Sequence, residues 1–499
     1  MKFYWLLAIG AFLVLGGASV WMGGLNQDEG WYLYAANLVA EGQTPYRDFF
    51  YTQGPMLPYV YSAFVGIWQA GGVLGARIFT LALGTVGILF AVGLARRLVP
   101  EDKRGMVSLM VFALLGCNLY HLYFVAIPKT YALAAAFVLA GFYLLPVAVE
   151  RCRWLAVLAG LSLAFAAGTR ISLGALLPVT GLWLLVSRQW RTLAFFCVGG
   201  LSGLALVYLP FLLDTGALNG LIAAQRYHAA RGGFDLVWTV GSLSRLVRWY
   251  LPVFVVLGLG SGIVSFRSSG KDSASPLSTS TFNLNILLFS FLAVFAVQML
   301  APFPYEDYQV PIMGLLAVYA AVRLAELRFD DSTIRRFDDF SILLVLGLCF
   351  ASSFGSPLLE KWSTNGQDRF WSLKKEKFEL SQLRDVAHRI EAMDPGGKEL
   401  LTQDLYLAIE TNRKVPKGLE MGPFSTLTDE AWRKLLGYAT SPIAALSGYS
   451  FAVEPPVCNE RSIDRQMEYW SILKRNYKLE EREDFFGQNA TPLLILRRK

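Results

Sequence analysis

The chain has 499 residues, of which 54% are hydrophobic and 17% are charged, whereas an average soluble domain has ~25% charged residues. The mean hydropathy of +0.42 excludes a wholly soluble protein, because the polar side chains are too few to cover so much apolar surface in water. The net charge of +7 argues against a nucleic-acid partner, since the 22 basic and 21 acidic residues from position 356 onward nearly cancel. The excess lies in the apolar part, where basic residues set membrane topology.

Apolar stretches follow one another through the first 355 residues. A helix needs ~20 apolar residues to cross the hydrocarbon core of a bilayer, and about eleven stretches come close to that length. The first run is too long for the core of a signal peptide, so we predict that it is retained as an anchor. Residues 1–355 are therefore predicted to form an α-helical polytopic membrane domain. The predicted spans are 4–24, 71–94, 106–125, 131–149, 154–168, 171–187, 193–213, 250–266, 283–301, 309–325 and 340–355.

Basic residues are concentrated in alternate short loops between these spans. Because such loops stay in the cytoplasm, the distribution of Lys and Arg sets the orientation of the chain. With an odd number of spans, the N-terminus is predicted to be cytoplasmic and the C-terminal part extracytoplasmic, in the inner membrane of a bacterium. The first three loops assigned to the cytoplasm carry Arg96, Arg97, Lys103, Arg104, Arg151, Arg153, Arg188 and Arg191.

The pattern changes in the C-terminal part, where charged and apolar residues alternate. The short apolar runs at 399–402 and 492–496 are typical of strands. Residues 356–499 are therefore predicted to form a soluble α/β domain outside the cytoplasm. A helix within it is indicated by apolar residues at spacings of three and four, which are Leu380, Leu383, Ala387, Ile390 and Met393.

The first external loop, residues 25–70, holds the densest group of polar and aromatic side chains. Asp28 and Glu29 follow directly after the first span, at a depth where a carboxylate loses hydration and needs a partner. That position suits a general base or a cation ligand. The alternative is that both acids cap an amphipathic helix, since acids favour a helix N-terminus. The candidate substrate-binding residues of this loop are Glu29, Tyr32, Tyr46, Arg47, Asp48 and Gln53.

Several cations lie in other loops that are predicted on the same side. They are positioned to face an anionic group on a substrate. The alternative is that they only reach lipid headgroups or form a solvated loop face. These candidates are Lys129, Arg170, Arg226, His228 and Arg231.

A second acidic cluster lies between the ninth and tenth predicted spans. Glu306 and Asp307 stand next to Tyr308, and their oxygens could bind sugar hydroxyls or a divalent cation. As ordinary loop charges they would need no function. No cofactor other than this possible cation is indicated.

The first external loop resembles that of a known family, the GT-C membrane glycosyltransferases, in the branch near the aminoarabinose transferase ArnT and the protein O-mannosyltransferases. The matching positions are Asp28-Glu29, Tyr32, Gly42, Pro45-Tyr46-Arg47-Asp48 and Gln53-Gly54-Pro55. The stretches 304–311, 400–404 and 411–416 are similar to the late external loop and the soluble domain of the family.

The resemblance implies a chemistry. In this family a sugar, a hexose or pentose, arrives on a polyprenyl phosphate within the membrane lipid. The acid at the position of Asp28 deprotonates the hydroxyl of a lipid, glycan or protein acceptor. Attack on the anomeric carbon inverts it and expels the lipid phosphate, which cations should face.

Two positions depart from the ArnT-like pattern. Trp31 stands where the pattern has an arginine, and Gln53-Gly54-Pro55 replaces lysine-proline-proline. Because both basic contacts are missing, these positions do not indicate an ArnT-like donor pose or aminoarabinose as the sugar.

Two other classes of function fit parts of the pattern. A lipid or sugar transporter or flippase would lack transferase chemistry, but transporters usually carry ionisable residues within their spans and show repeat symmetry. In this sequence the spans are nearly free of charge and the acids gather on one side. A non-catalytic scaffold protein, with the function in its soluble domain, would tolerate the loss of both carboxylates of the first loop.

Overall fold

The computed structural model describes residues 1–230, 233–267, 282–301, 303–326, 331–353, 377–425, 429–447, 460–488 and 490–499. The first helices are α1 (Lys2–Met22), α2 (Gln27–Ala40), α3 (Met56–Ser62), α4 (Gly66–Arg97), α5 (Arg104–Gly116), α6 (Leu119–Ala126), α7 (Thr130–Glu150) and α8 (Leu155–Thr169). They are followed by α9 (Leu176–Val186), α10 (Trp190–Leu213), α11 (Thr215–Ala229), α12 (Leu236–Trp249), α13 (Leu251–Arg267), α14 (Asn285–Met299), α15 (Val310–Ala325) and α16 (Asp331–Ser353).

Apolar helices occupy every predicted span. Within the described residues, five are long enough to cross a bilayer, namely α1, α4, α7, α10 and the unit Glu306–Ala325. Two bent pairs pass the same test together, α5 with α6 at 66° and α12 with α13 at 79°. The four other predicted spans are shorter apolar helices, Leu155–Thr169, Ile171–Val186, Asn285–Met299 and Phe340–Ser353. The predicted α-helical polytopic class is confirmed. These four helices are shorter than the ~20 residues that a single helix needs to cross a bilayer.

The bend between α5 and α6 has a local cause. Asn118 begins α6 because its side chain accepts a hydrogen bond from the backbone N–H of His121 at 3.0 Å, as N-cap asparagines do. The Asn118 amide also donates to the carbonyl of Trp249 at 2.9 Å. Since Trp249 ends α12, one polar side chain ties the two bent pairs together.

The loops that the charge distribution assigns to the outer side meet at one end of the helices. There, Lys129 contacts both Asp28 and Asp307, which joins the loops after the first, third and ninth predicted spans. At the opposite end, Arg96 and Arg151 line one cavity. In the described part of the chain, the loops of Arg96 and Arg151 therefore lie at the end opposite Lys129, as the alternation of spans requires.

The C-terminal part contains a four-stranded sheet in the order β1-β2-β4-β3. Strands β1 and β2 are parallel and the other pairs are antiparallel, which confirms the predicted α/β character. The predicted domain boundary at residue 356 lies outside the described residues. The elements are α17 (Glu379–Met393), β1 (Leu400–Leu401), α18 (Leu405–Glu410), α19 (Asp429–Tyr438), β2 (Ile443–Ser447), α20 (Glu460–Asn476), β3 (Tyr477–Phe486) and β4 (Thr491–Arg498).

The first external loop and the C-terminal part share one hydrophobic core. Helix α2 approaches α18 so closely that a Cβ on Gly30 would lie 2.4 Å from the backbone nitrogen of Tyr406. Beside this contact, the Gln27 amide donates to the Asp404 carboxylate at 2.7 Å. The C-terminal part therefore supports the helix on which Asp28 lies.

Candidate active site

Helix α2 is capped without the side chain of Asp28. Asn26 is the N-cap residue, and its side chain accepts from the backbone N–H of Asp28 at 3.0 Å. Glu29 completes a capping box by accepting from the backbone N–H of Asn26 at 2.9 Å. The capping alternative thus applies to Asn26 and Glu29, and the Asp28 carboxylate remains available for another role.

Glu29 lies in a buried ion pair. Its carboxylate accepts from the Arg77 guanidinium at 2.6 and 2.9 Å, and both side chains are fully buried. Arg77 also donates to the carbonyls of Val20 and Gly23 near the end of α1. This pair joins α1, α2 and α4, so the structure places Glu29 in a supporting position rather than in contact with a substrate.

Asp28 points away from Glu29 and contacts Lys129. The Oδ2 atom of Asp28 lies 2.8 Å from Lys129 Nζ, and its Oδ1 accepts from Trp31 Nε1 at 3.0 Å. Burial raises the pKa of the Asp28 carboxyl, but the charge and hydrogen bond of Lys129 lower it more, and the pKa lies below its ordinary value. With its pKa lowered, the Asp28 carboxyl is ionised at neutral pH, and its side chain is 29% exposed.

Lys129 bridges two carboxylates. Its Nζ lies 3.4 Å from Asp307 Oδ2, and the Lys129 side chain is 8% exposed. The Tyr131 hydroxyl donates to the same Asp307 oxygen at 2.9 Å. Tyr131 was not identified from the sequence, where only its position two residues after Lys129 sets it apart. Lys129 is therefore held by protein anions and is not a free cation for a phosphate.

Arg170 is the cation that lacks such a partner. Its guanidinium donates to Thr130 Oγ1 at 3.0 Å and lies between the rings of Tyr131 and Tyr308, 4.9 and 4.8 Å from their centroids. Arg170 is 9% exposed, and its Nε has no hydrogen-bond partner among the described residues. No ion pair joins it to a carboxylate in that part of the chain. A buried guanidinium in this state favours an anionic ligand.

A polar cavity of about 230 Å³ lies against Arg170. Gln53 of the first loop lines it because Gly54 contacts α8 closely, so that a Cβ on Gly54 would lie 2.1 Å from the Gly168 carbonyl oxygen. An apolar groove of about 530 Å³ adjoins the cavity. The two spaces share Ile171 and Gln225 in their walls, so a ligand with a polar head and an apolar tail could occupy both. The other polar residues of the cavity wall are Thr52, Ser172, Gln298 and Tyr308.

The remaining candidates of the first loop divide between the interior and the rim. Tyr32 is buried, its ring stacks on Trp31 with centroids 3.7 Å apart, and burial raises its pKa, so the hydroxyl stays protonated. The Tyr46 hydroxyl donates to the Gln53 carbonyl and fixes the loop. Arg47 and Asp48 are 45% and 34% exposed and pair with each other at 3.0 Å, outside the cavity.

The second acidic cluster is divided between two partners. Glu306 pairs with Arg245 at 3.1 Å and accepts from Ser242 at 3.2 Å, whereas Asp307 faces Lys129. Each carboxylate already faces its own cation, which does not fit a shared divalent-cation site. No group of three His, Cys, Asp or Glu side chains that could hold a metal occurs in the described ranges.

Of the candidate cations on the long loop after α10, the structure describes the side chain of Arg226. Arg226 is exposed on α11. The side chain of His228 and the whole of Arg231 lie outside the described residues.

Solved structures of two membrane enzymes have a similar fold. ArnT from Cupriavidus metallidurans, bound to undecaprenyl phosphate, matches with a TM-score of 0.60 and 14% identity, over 99% of this chain and 98% of that one. The Archaeoglobus fulgidus oligosaccharyltransferase in its apo form matches with a TM-score of 0.51 and 11% identity, over 94% of this chain and 72% of that one. No protein-family model and no curated protein matches the chain. At these identities the likeness establishes the fold alone, and it confirms the predicted GT-C-like fold.

Proposed function

We propose that the protein is an integral membrane glycosyltransferase that moves a sugar from a polyprenyl-phosphate carrier to an acceptor hydroxyl. The observation that carries this proposal is that two consecutive residues, Lys129 and Thr130, contact a candidate base and a candidate anion site. Lys129 pairs with the ionised Asp28, while Thr130 accepts a hydrogen bond from Arg170, which forms no ion pair with a carboxylate among the described residues. The ArnT structure that shares the fold holds undecaprenyl phosphate, and this supports a lipid phosphate as the anion.

The apolar groove gives the carrier a place beside the cavity. A polyprenyl phosphate has a charged head and a long apolar tail. The Arg170 cavity suits the phosphate, and the adjoining groove lined by Leu204, Tyr208 and Leu212 suits the first isoprene units. Gln53 and Ser172, which line the cavity, are close enough to this head to bind sugar hydroxyls.

The proposed reaction is a single inverting displacement. Asp28 accepts the proton of the acceptor hydroxyl as its oxygen bonds to the anomeric carbon. The bond between that carbon and the phosphate oxygen breaks, and the electron pair leaves with the polyprenyl phosphate. Arg170 stabilises the negative charge of this leaving group. Asp307 and Tyr131 keep Lys129 in place beside Asp28.

Replacement of Arg170 by Gln should weaken the binding of undecaprenyl phosphate by about ten-fold to a hundred-fold, because a hydrogen bond to a charged group contributes ~1.5–3 kcal/mol. The measurement is the Kd of the purified variant for undecaprenyl phosphate. Arg433→Gln, which breaks an exposed ion pair with Glu468, is the matched control and should bind as the wild type does. Equal affinity in all three proteins, with Arg170→Gln folded, would remove the phosphate role from Arg170.

The pH dependence of transfer tests the pairing of Asp28 with Lys129. A general base acts only when ionised, so activity falls as the pH drops through the pKa of Asp28. Lys129 lowers that pKa and burial alone raises it. The acid limb of kcat/KM should therefore move to higher pH in Lys129→Gln, whereas Lys414→Gln, an exposed control, should keep the wild-type limb. An unmoved limb in Lys129→Gln would contradict this role.

A lipid or sugar transporter or flippase is the alternative, because an apolar groove open to lipid would serve it equally well. Proteoliposomes distinguish the two functions. A transferase releases free polyprenyl phosphate from the donor, whereas a flippase moves the intact donor between leaflets. Movement without bond cleavage would overturn the proposed function.

The orientation of the chain is also part of the proposal. The basic loops at the end opposite Asp28 support a cytoplasmic location of that end, because Lys and Arg are enriched in cytoplasmic loops. Transfer then takes place on the extracytoplasmic face of the inner membrane, on the same side as the described residues of the C-terminal part.

A further inference from the structure

A second polar cavity lies at the end of the membrane domain opposite Asp28. Its volume is about 420 Å³, and three segments line it, the end of α4, the start of α5 and the end of α7. Four of its lining residues are arginines, and Glu150 is the single carboxylate among them. These arginines are Arg96, Arg97, Arg104 and Arg151.

The arginine cavity is partly preorganised. Arg97 donates from Nη2 to the Tyr143 hydroxyl at 2.7 Å, and its guanidinium carbon lies 4.5 Å from the centroid of the same ring. The Tyr143 ring is packed against α4, where a Cβ on Gly93 would lie 2.8 Å from it. Arg97 is thus fixed before a ligand arrives, which lowers the entropy lost on binding. Four like charges around one cavity also repel one another, and an anion relieves that repulsion.

The surface next to the cavity indicates that the anion belongs to a lipid. Val86 and Leu89 are 43% and 57% exposed. They lie on the same face of α4 as Gly93 and Arg97, at spacings of three and four residues. An apolar strip therefore leads along the helix into the arginines. An apolar strip next to a basic cavity matches a phospholipid, which has an apolar acyl chain and a charged headgroup. Basic pockets between membrane spans are known to bind anionic lipid headgroups.

We propose that the arginine cavity binds the headgroup phosphate of an anionic phospholipid from the leaflet opposite the active site, with one acyl chain lying on Val86 and Leu89. This site is separate from Arg170 and does not depend on the proposed transferase activity. Its bound lipid ties α4, α5 and α7 together at the cytoplasmic ends that the charge distribution predicts.

The test compares the thermal stabilisation of the purified full chain by two lipids in detergent. Phosphatidylglycerol should raise the Tm of the wild type saturably and phosphatidylcholine should not, because a ligand stabilises the state that binds it. The double variant Arg97→Gln/Arg104→Gln should lose most of this rise. The matched control Arg188→Gln/Arg191→Gln removes two exposed arginines at the same end but outside the cavity, and should keep the rise.

Three outcomes would overturn the proposal. The first is a wild type that responds equally to both lipids. The second is an equal loss of the rise in both double variants, which would reduce the effect to general charge. The third is an equal rise with inorganic phosphate or glycerol phosphate, which would make the ligand a soluble anion. If the cavity variant does not fold, the wild-type comparisons and the single variant Arg151→Gln decide the matter.

Discussion

Asp28→Asn should fold normally and lose ~10²–10⁴-fold in kcat for transfer, since general-base catalysis contributes a factor of that size. The fold is retained because Asn26 and Glu29 form the cap of α2 and an Asn side chain at position 28 can still accept from Trp31. Lys129 keeps Asp307 as a partner, so no buried lysine is left without an anion. The phosphate site is untouched, and KM for the donor should therefore change far less than kcat.

The measurement is the release of polyprenyl phosphate from undecaprenyl-phosphate-linked hexoses and pentoses by purified protein, together with the Tm. Glu41→Gln is the matched control. It lies just after the same helix and loses an exposed ion pair with Lys414, a contact that contributes ~0–1 kcal/mol. It should transfer sugar at the wild-type rate. Full kcat in Asp28→Asn would return the function to a transporter or scaffold.

Glu29→Gln should cause a large loss of stability. It leaves the Arg77 guanidinium buried without its counter-ion, and breaking a buried pair in this way costs ~3–5 kcal/mol. A typical domain has only ~5–15 kcal/mol in total, so the variant should give a low yield of monodisperse protein and a clearly lowered Tm. The change next to it, Asp28→Asn, should not.

A double variant tests whether the effect of Glu29→Gln comes from the unpaired charge of Arg77 or from a lost substrate contact. Glu29→Gln/Arg77→Met removes both charges, so that neither is left buried alone, and its Tm should recover relative to Glu29→Gln. Recovery is partial, because Arg77 also donates to the backbone carbonyls of Val20, Gly23 and Gly24. A Glu29→Gln protein with wild-type Tm but impaired donor binding would instead support the substrate contact predicted from the sequence.

Asp28 and Glu29 are neighbours in the sequence but have different partners in the fold. Neighbouring residues on a helix point about 100° apart, so one carboxylate faces Arg77 and the other faces Lys129. The family resemblance indicated Asp28 as the general base and Glu29 as a substrate-binding residue. The sequence could not indicate the partner of either carboxylate, because each partner comes from a different helix.

The same limit applies to the cations. Lys129 and Arg170 were both candidates for a phosphate, and both lie at the predicted end. Only the fold places Asp307 beside Lys129 and leaves Arg170 between two tyrosine rings. The support of α2 by Asp404 also links residues far apart in the chain, and no local pattern indicates it.

The sequence by itself determined the class of the protein. In lipid every backbone polar group must be satisfied within the segment, so long apolar runs have to be helices and their order can be predicted from composition. The alternation of basic loops then assigned the candidate residues to one end of the helices. Which candidates meet, and with which partners, was decided by tertiary structure alone, because ion pairs such as Asp28 with Lys129 depend on distances between helices that the local chain does not fix.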